Sequence, residues 1–133
     1  ENRLNDVLRA ATRIAKTNYL VLVFSDFDNI NQTTEPLIRA LATNNDLLLF
    51  SVADPLAQKL PDGFHLTVSD GHLQAEIDGS NGATRARIEA AMQGRLADIA
   101  GWARKYGAPF IPLTTDAPAL DQMLHLFGHS GAR

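Results

Sequence analysis

The sequence predicts an α/β fold: a partial, doubly wound parallel sheet of about three strands with flanking helices and an inserted β-hairpin. Three observations carry this. Apolar runs that do not alternate with polar residues stand at 19–24, 47–52 and 110–113, the pattern of strands buried on both faces of a parallel sheet. Stretches with apolar residues at the 3.6-residue period separate them, so helices and strands alternate. One segment, 64–77, alternates instead about Asp70-Gly71, a two-residue hairpin signal.

Leu4, Val7, Leu8, Ala11 and Ile14 form the first helical stripe, predicting a helix over about 2–16 whose basic end suits the macrodipole. Tyr19 to Ser25 is the first strand. A polar loop follows through Gln32, and Thr33, Thr34, Glu35 and Pro36 open a second helix with Leu37, Ile38 and Leu41 inward and Asn44-Asn45 as its stop. The second strand, about 47–53, ends in Asp54-Pro55, and Leu60-Pro61-Asp62-Gly63 reads as a turn. Beyond the hairpin, Ile88, Met92, Leu96, Ile99, Ala103 and Tyr106 line a helix over about 84–106, which Gly107 stops. A third strand at about 108–113 leads through Asp116 and Pro118 into a last helix marked by Leu120, Met123, Leu124 and Phe127. His129 to Arg133 forms a fraying tail.

With the strands side by side in chain order and right-handed crossovers, the helices at 33–44 and 84–106 share one face. The first and last helices are then left for the other. Three strands make a narrow sheet, yet the most apolar one comes first, and such a strand normally has neighbours on both edges. The expectation is half of a wider Rossmann-like sheet, whose further strands would lie beside 19–25. An open strand edge and an apolar face also predict self-association through one or the other.

Composition narrows the function. The 133 residues are 45% hydrophobic and 20% charged, with 12 Lys+Arg against 15 Asp+Glu, a net charge of −3. A mildly acidic chain argues against a dedicated nucleic-acid binder. The absence of cysteine excludes disulfides, Cys-ligated zinc and thiol catalysis. No signal peptide or membrane-spanning run is present in the sequence, which points to the cytoplasm.

Ligands of open parallel sheets bind beyond the strand C-termini, and here those ends are acidic. The first strand delivers Ser25-Asp26-Phe27-Asp28-Asn29, the second Asp54, and the third Thr114-Thr115-Asp116. Converging oxygen ligands could hold Mg²⁺, although Asp and Asn in such places also close turns and cap helices. An apolar strand followed by Asp-x-Asp gives the alternative reading, a metal-dependent phosphatase or nuclease using Asp26 and Asp28. The haloacid-dehalogenase-type pattern lacks its Thr or Val at Ile30 and its later paired-acid motif, and nucleases of the PIN-like group begin at this strand, without a helix before it. His65 and His72 can face each other across the hairpin, but two ligands do not make a zinc site. Trp102 and Tyr106 read as packing. Arg85, Arg87, Arg95 and Arg104 read as a solvated helix face.

The order of motifs resembles one family. Ser25-Asp26-Phe27 ends a hydrophobic strand; Leu37 and Leu41 follow on a helix; the next strand ends in Asp54-Pro55. Then come Leu60-Pro61 and Gly63, the Asp70-Gly71 hairpin with Asp78, Arg87, Arg95-Leu96, Gly107, Thr115-Asp116, and the closing Leu120/Leu124 helix. This set resembles the C-terminal half of the domain of unknown function 58 family, bacterial proteins with a von Willebrand factor A-like domain, over about 4–127. The family's N-terminal part has no counterpart in this stretch, so the resemblance implies one domain that is the C-terminal portion of a larger von Willebrand factor A-like domain. After Asp54-Pro55 the family's charged residues, Glu among them, are replaced by Leu56-Ala57-Gln58-Lys59.

The resemblance further implies a non-enzymatic protein–protein interaction module that assists a MoxR-type AAA+ ATPase in assembling or maturing protein complexes. Asp26 resembles the last Asp of the metal-ion-dependent adhesion site, with Asp28 and Thr115 as lesser candidates in a degenerate or partial site. The sole approach to Asp-x-Ser-x-Ser is Asp78-Gly79-Ser80-Asn81-Gly82, a turn after a hairpin strand. No resident cofactor is expected, and Mg²⁺ would need ligands from another segment. Asp26 is expected to bond to amides of its own loop.

Overall fold

The computed structural model describes residues 3–55, 65–69, 74–78 and 82–128. The elements run α1 (Arg3–Ile14), β1 (Leu20–Ser25), α2 (Thr34–Asn44), β2 (Asp46–Ala53), β3 (His65–Ser69), β4 (Gln74–Asp78), α3 (Gly82–Tyr106), β5 (Phe110–Thr114) and α4 (Ala119–Phe127). The fold is α/β, with a parallel sheet ordered β1-β2-β5 and flanked by helices. β3 and β4 pair antiparallel with His65 opposite Asp78 and Ser69 opposite Gln74. The 60–63 turn, the Asp70-Gly71 tip, His72 and the tail from His129 lie outside the described residues, as do the side chains of His65 and Asp78.

The register sets Val21 beside Leu47, Val23 beside Leu49, and Leu49 beside Phe110. Because side chains alternate along a strand, these residues share one face. Against it lie Leu8 of α1, Ile38 and Leu41 of α2, and Ile99 and Ala103 of α3, all buried in one cluster. The opposite face carries Phe50, Ile111 and Leu113, packed with Leu48 and with Met123 of α4.

One expectation is corrected. The first helix does not join the last on the far face; α1 packs beside α2, on the α3 side of the sheet. The reason is polar and long-range. Asn5 Nδ2 donates to Asn31 Oδ1 (2.9 Å), and Thr34 Oγ1 donates to Asn5 Oδ1 (2.8 Å). The Asn31 N–H donates to Thr34 Oγ1 (2.9 Å), and Asn5 and Thr34 are both buried. At the other end Asn45 Nδ2 donates to the Ala15 carbonyl (3.0 Å) while its Oδ1 accepts from the Tyr19 N–H (2.9 Å). The two helices are thus pinned at both ends, running in the same direction. Leu8 then takes the core position, and Val7 and Ile14, predicted to be inward, are exposed.

Two helix entries also differ from expectation. Thr33 stands at the α2 N-cap without a side-chain capping bond, because Thr34 supplies the polar anchor instead. Asp116 is exposed, and Pro118 is the α4 N-cap without a side-chain bond. Gln122 stitches this entry: its Oε1 accepts from the Thr114 N–H (2.8 Å), and its Nε2 donates to the carbonyls of Thr114 and Ala117 (both 2.9 Å).

Thr34→Val keeps the shape of the side chain but leaves Asn5 and the Asn31 amide short of a buried partner. It is expected to lower stability by about 1–3 kcal/mol, the cost of unsatisfied buried polar groups, measured by urea denaturation. Among the described residues, no helix is long and apolar enough to cross a membrane.

Candidate functional site

Two places near β1 carry the residues of interest: the acidic loop beyond its C-terminus, and its outer face and edge.

In the loop, Ser25 Oγ accepts the Phe27 N–H (3.0 Å) and Asp26 Oδ1 accepts the Asp28 N–H (3.1 Å). These are successive side-chain-to-backbone turns of the kind Ser and Asp favour at i to i+2. They hold Phe27 at φ 53°, a left-handed conformation that a bulky residue rarely adopts. In exchange the Phe27 ring swings inward, is fully buried, and lies 6.3 Å from the Phe110 ring. Asp26 is therefore engaged as expected, by an amide of its own loop.

Asp28 is held differently. Arg95 of α3 reaches its carboxylate (2.8 Å) and its carbonyl (3.1 Å) through one Nη1. Arg95 thus serves as a clamp on the loop and departs from the solvated-face reading. Thr115 donates its backbone N–H to the Ala53 carbonyl (3.0 Å). It sits at the end of β5, at least two strand spacings, or roughly 10 Å, from the end of β1. Asp26 and Asp28 share a loop, but Thr115 is not brought to it. Among the described residues no group of three or more His, Asp or Glu side chains could hold a metal ion. This donor set does not fit an octahedral cation, which wants converging oxygens.

The outer face of β1 is apolar and open. Leu20, Leu22 and Phe24 are 65%, 48% and 53% exposed. Phe24 stacks on Phe50 at 4.4 Å, extending the α4-side cluster outward. On the same side of the sheet α4 exposes Leu120, Leu124 and Phe127. Among the described residues β1 has a strand neighbour on one side only. Along its other side runs a groove of about 490 Å³ between β1 and α1, lined by Leu4, Val7 and Ala11 above and by Val21 to Asp26 along the strand.

The two edges of the sheet are not equivalent. β5 carries Pro112, and the Thr114 amide is taken by Gln122; proline is a recognised way to close a sheet edge. β1 carries no such device. Pro112 was readable in the sequence as an edge marker, whereas Arg95 had no sequence signal, standing 67 residues from its partner.

No family model, curated protein or solved structure matches this chain.

Away from these places, Glu35 Oε1 accepts from Lys105 Nζ (2.9 Å) and from the Tyr106 hydroxyl (2.7 Å), tying α2 to α3. The Lys105 hydrogen bond, then that of Tyr106, hold the Glu35 carboxyl below its usual range, and the Glu35 carboxylate holds Lys105 above its own. A depressed carboxyl stabilises the fold above its unfolded pKa, and that contribution is lost as pH falls through the folded value. The raised amine contributes below its unfolded pKa and loses that contribution as pH rises through the folded value. Stability should therefore decline at both the acid and the alkaline ends. Glu35→Gln should flatten both limbs in urea midpoints measured across pH.

Proposed function

We propose that this chain is the C-terminal portion of a von Willebrand factor A-like domain of the domain of unknown function 58 type, and that it acts as a protein–protein interaction module. The observation that supports the reading most is the open apolar face of Leu20, Leu22 and Phe24. Singly exposed apolar residues need no explanation, but a contiguous row beside an open strand edge is the surface of a protein contact. The motif order from Ser25-Asp26-Phe27 to the Leu120/Leu124 helix supports the family. In that reading the partner is a MoxR-type AAA+ ATPase in the cytoplasm, and self-association occupies the same surface when the partner is lacking.

The acidic loop is structural in this account. Asp26 shapes the turn that buries Phe27, and Asp28 is neutralised by Arg95. Calorimetry with Mg²⁺ and Mn²⁺ is expected to show no binding in the micromolar range, and Asp26→Asn to leave the titration unchanged. A phosphatase and nuclease screen with either cation distinguishes the rival. Turnover that disappears in Asp26→Ala would establish the enzyme reading and remove this one.

A further inference from the structure

We infer that the groove beside β1 receives one extended aliphatic strand from outside this sheet, running parallel to β1 beneath α1. The inference deepens the interaction reading and rests on it for the claim that the surface is used, while the form of the occupant follows from layer geometry.

Helices packed side by side stand about 8–10 Å apart, whereas strands stand about 4.8 Å apart. α3, α2 and α1 lie abreast on one face, α2 touching both of the others. Three helices therefore span roughly twice the width of three strands. α1 overhangs the β1 edge, and its underside, with Leu4, Val7 and Ala11, looks onto the groove rather than onto a strand. Val7 is 66% exposed for this reason.

The edge below is ready to pair. The Tyr19 carbonyl accepts the Asp46 N–H (2.9 Å), so odd-numbered residues of β1 face β2. Alternation along a parallel strand then turns the N–H and C=O groups of Leu20, Leu22 and Phe24 to the groove side. A strand seated there meets α1 on one face and the Leu20, Leu22 and Phe24 surface on the other, so it must be aliphatic on both. Orientation follows from the helix. α2 lies on this face between β1 and β2, as α3 does between β2 and β5; α1 runs alongside α2 and stands in the same relation to the groove and β1. That is the arrangement of a right-handed crossover between parallel strands. A second copy does not fit the groove: two-fold pairing of β1 with its counterpart would drive each overhanging α1 into the other copy's helix layer.

The test uses a synthetic peptide of six consecutive valine and isoleucine residues between lysine pairs, with an N-methylated counterpart lacking alternate amide donors. Hydrogen exchange by NMR is followed at single amides of the whole chain. We expect the peptide to slow the Leu20, Leu22 and Phe24 amides at least tenfold, leave those of Val21 and Val23 as protected as before, and lose its effect on N-methylation. A spin label at the peptide N-terminus should broaden Tyr19 and Leu20. Broadening at Ser25 and Asp26 instead would overturn the parallel orientation. Protection that rises with protein concentration alone would assign the edge to a second copy and overturn the inference. So would peptide that leaves the three amides unprotected. If these fail while Lys substitutions at Leu20 and Leu22 still abolish ATPase binding, the interaction reading stands and only the strand is lost.

Discussion

Phe27→Ala is expected to destabilise the chain by about 3–5 kcal/mol, the usual range for deleting a buried aromatic ring. A domain of this size has only about 5–15 kcal/mol in total, so much of the population approaches its unfolding threshold. The ring is fully buried, touches Phe110 across the core, and is delivered there by a left-handed backbone. Ala relieves none of that backbone strain, because it too carries a Cβ. The urea midpoint should fall sharply with an unchanged slope. Asp26→Ala, which removes one turn bond from an exposed carboxylate, should lower the midpoint far less. Equal losses for the two would mean that the acidic turn, and not the buried ring, organises the loop.

Leu20→Lys combined with Leu22→Lys is expected to weaken ATPase binding by about 30-fold or more, since apolar anchors at the centre of a contact carry most of its energy. Both residues are about half or more exposed, so the fold keeps its core and the Phe24–Phe50 stack. Lysine on an edge strand is also a common natural guard against unwanted pairing. Sedimentation should accordingly show less self-association in the double variant than in the parent. A variant that associates as strongly as the parent would move the contact away from β1.

The fold was legible because its strands are local signals. Continuous apolar runs at 19–24 and 47–52, separated by helical stripes, define a parallel sheet without tertiary information. The position of α1 was not legible. Leu4, Val7, Leu8, Ala11 and Ile14 specify a buried stripe, but which sheet face receives it depends on Asn5 meeting Asn31 and Thr34, far away in the chain. The inward assignment of Val7 and Ile14 failed for the same cause. The turn at Asp26 was readable, because an Asp two residues before an amide is a local pattern. Its neighbour Asp28 was not, because its partner Arg95 comes from another helix. The sequence also marked the sheet's closed edge through Pro112, and the apolarity of β1 marked its open one.

The central claim is that the outer surface of β1, and not the acidic loop, is the functional surface. Binding of a purified MoxR-type AAA+ ATPase, titrated in parallel against the parent chain, the Leu20→Lys/Leu22→Lys variant and Asp26→Ala, tests it most directly. The account predicts binding by the parent and by Asp26→Ala, with or without Mg²⁺, and its loss in the lysine variant. Binding that needs Mg²⁺ and disappears in Asp26→Ala, while the lysine variant binds like the parent, would contradict it.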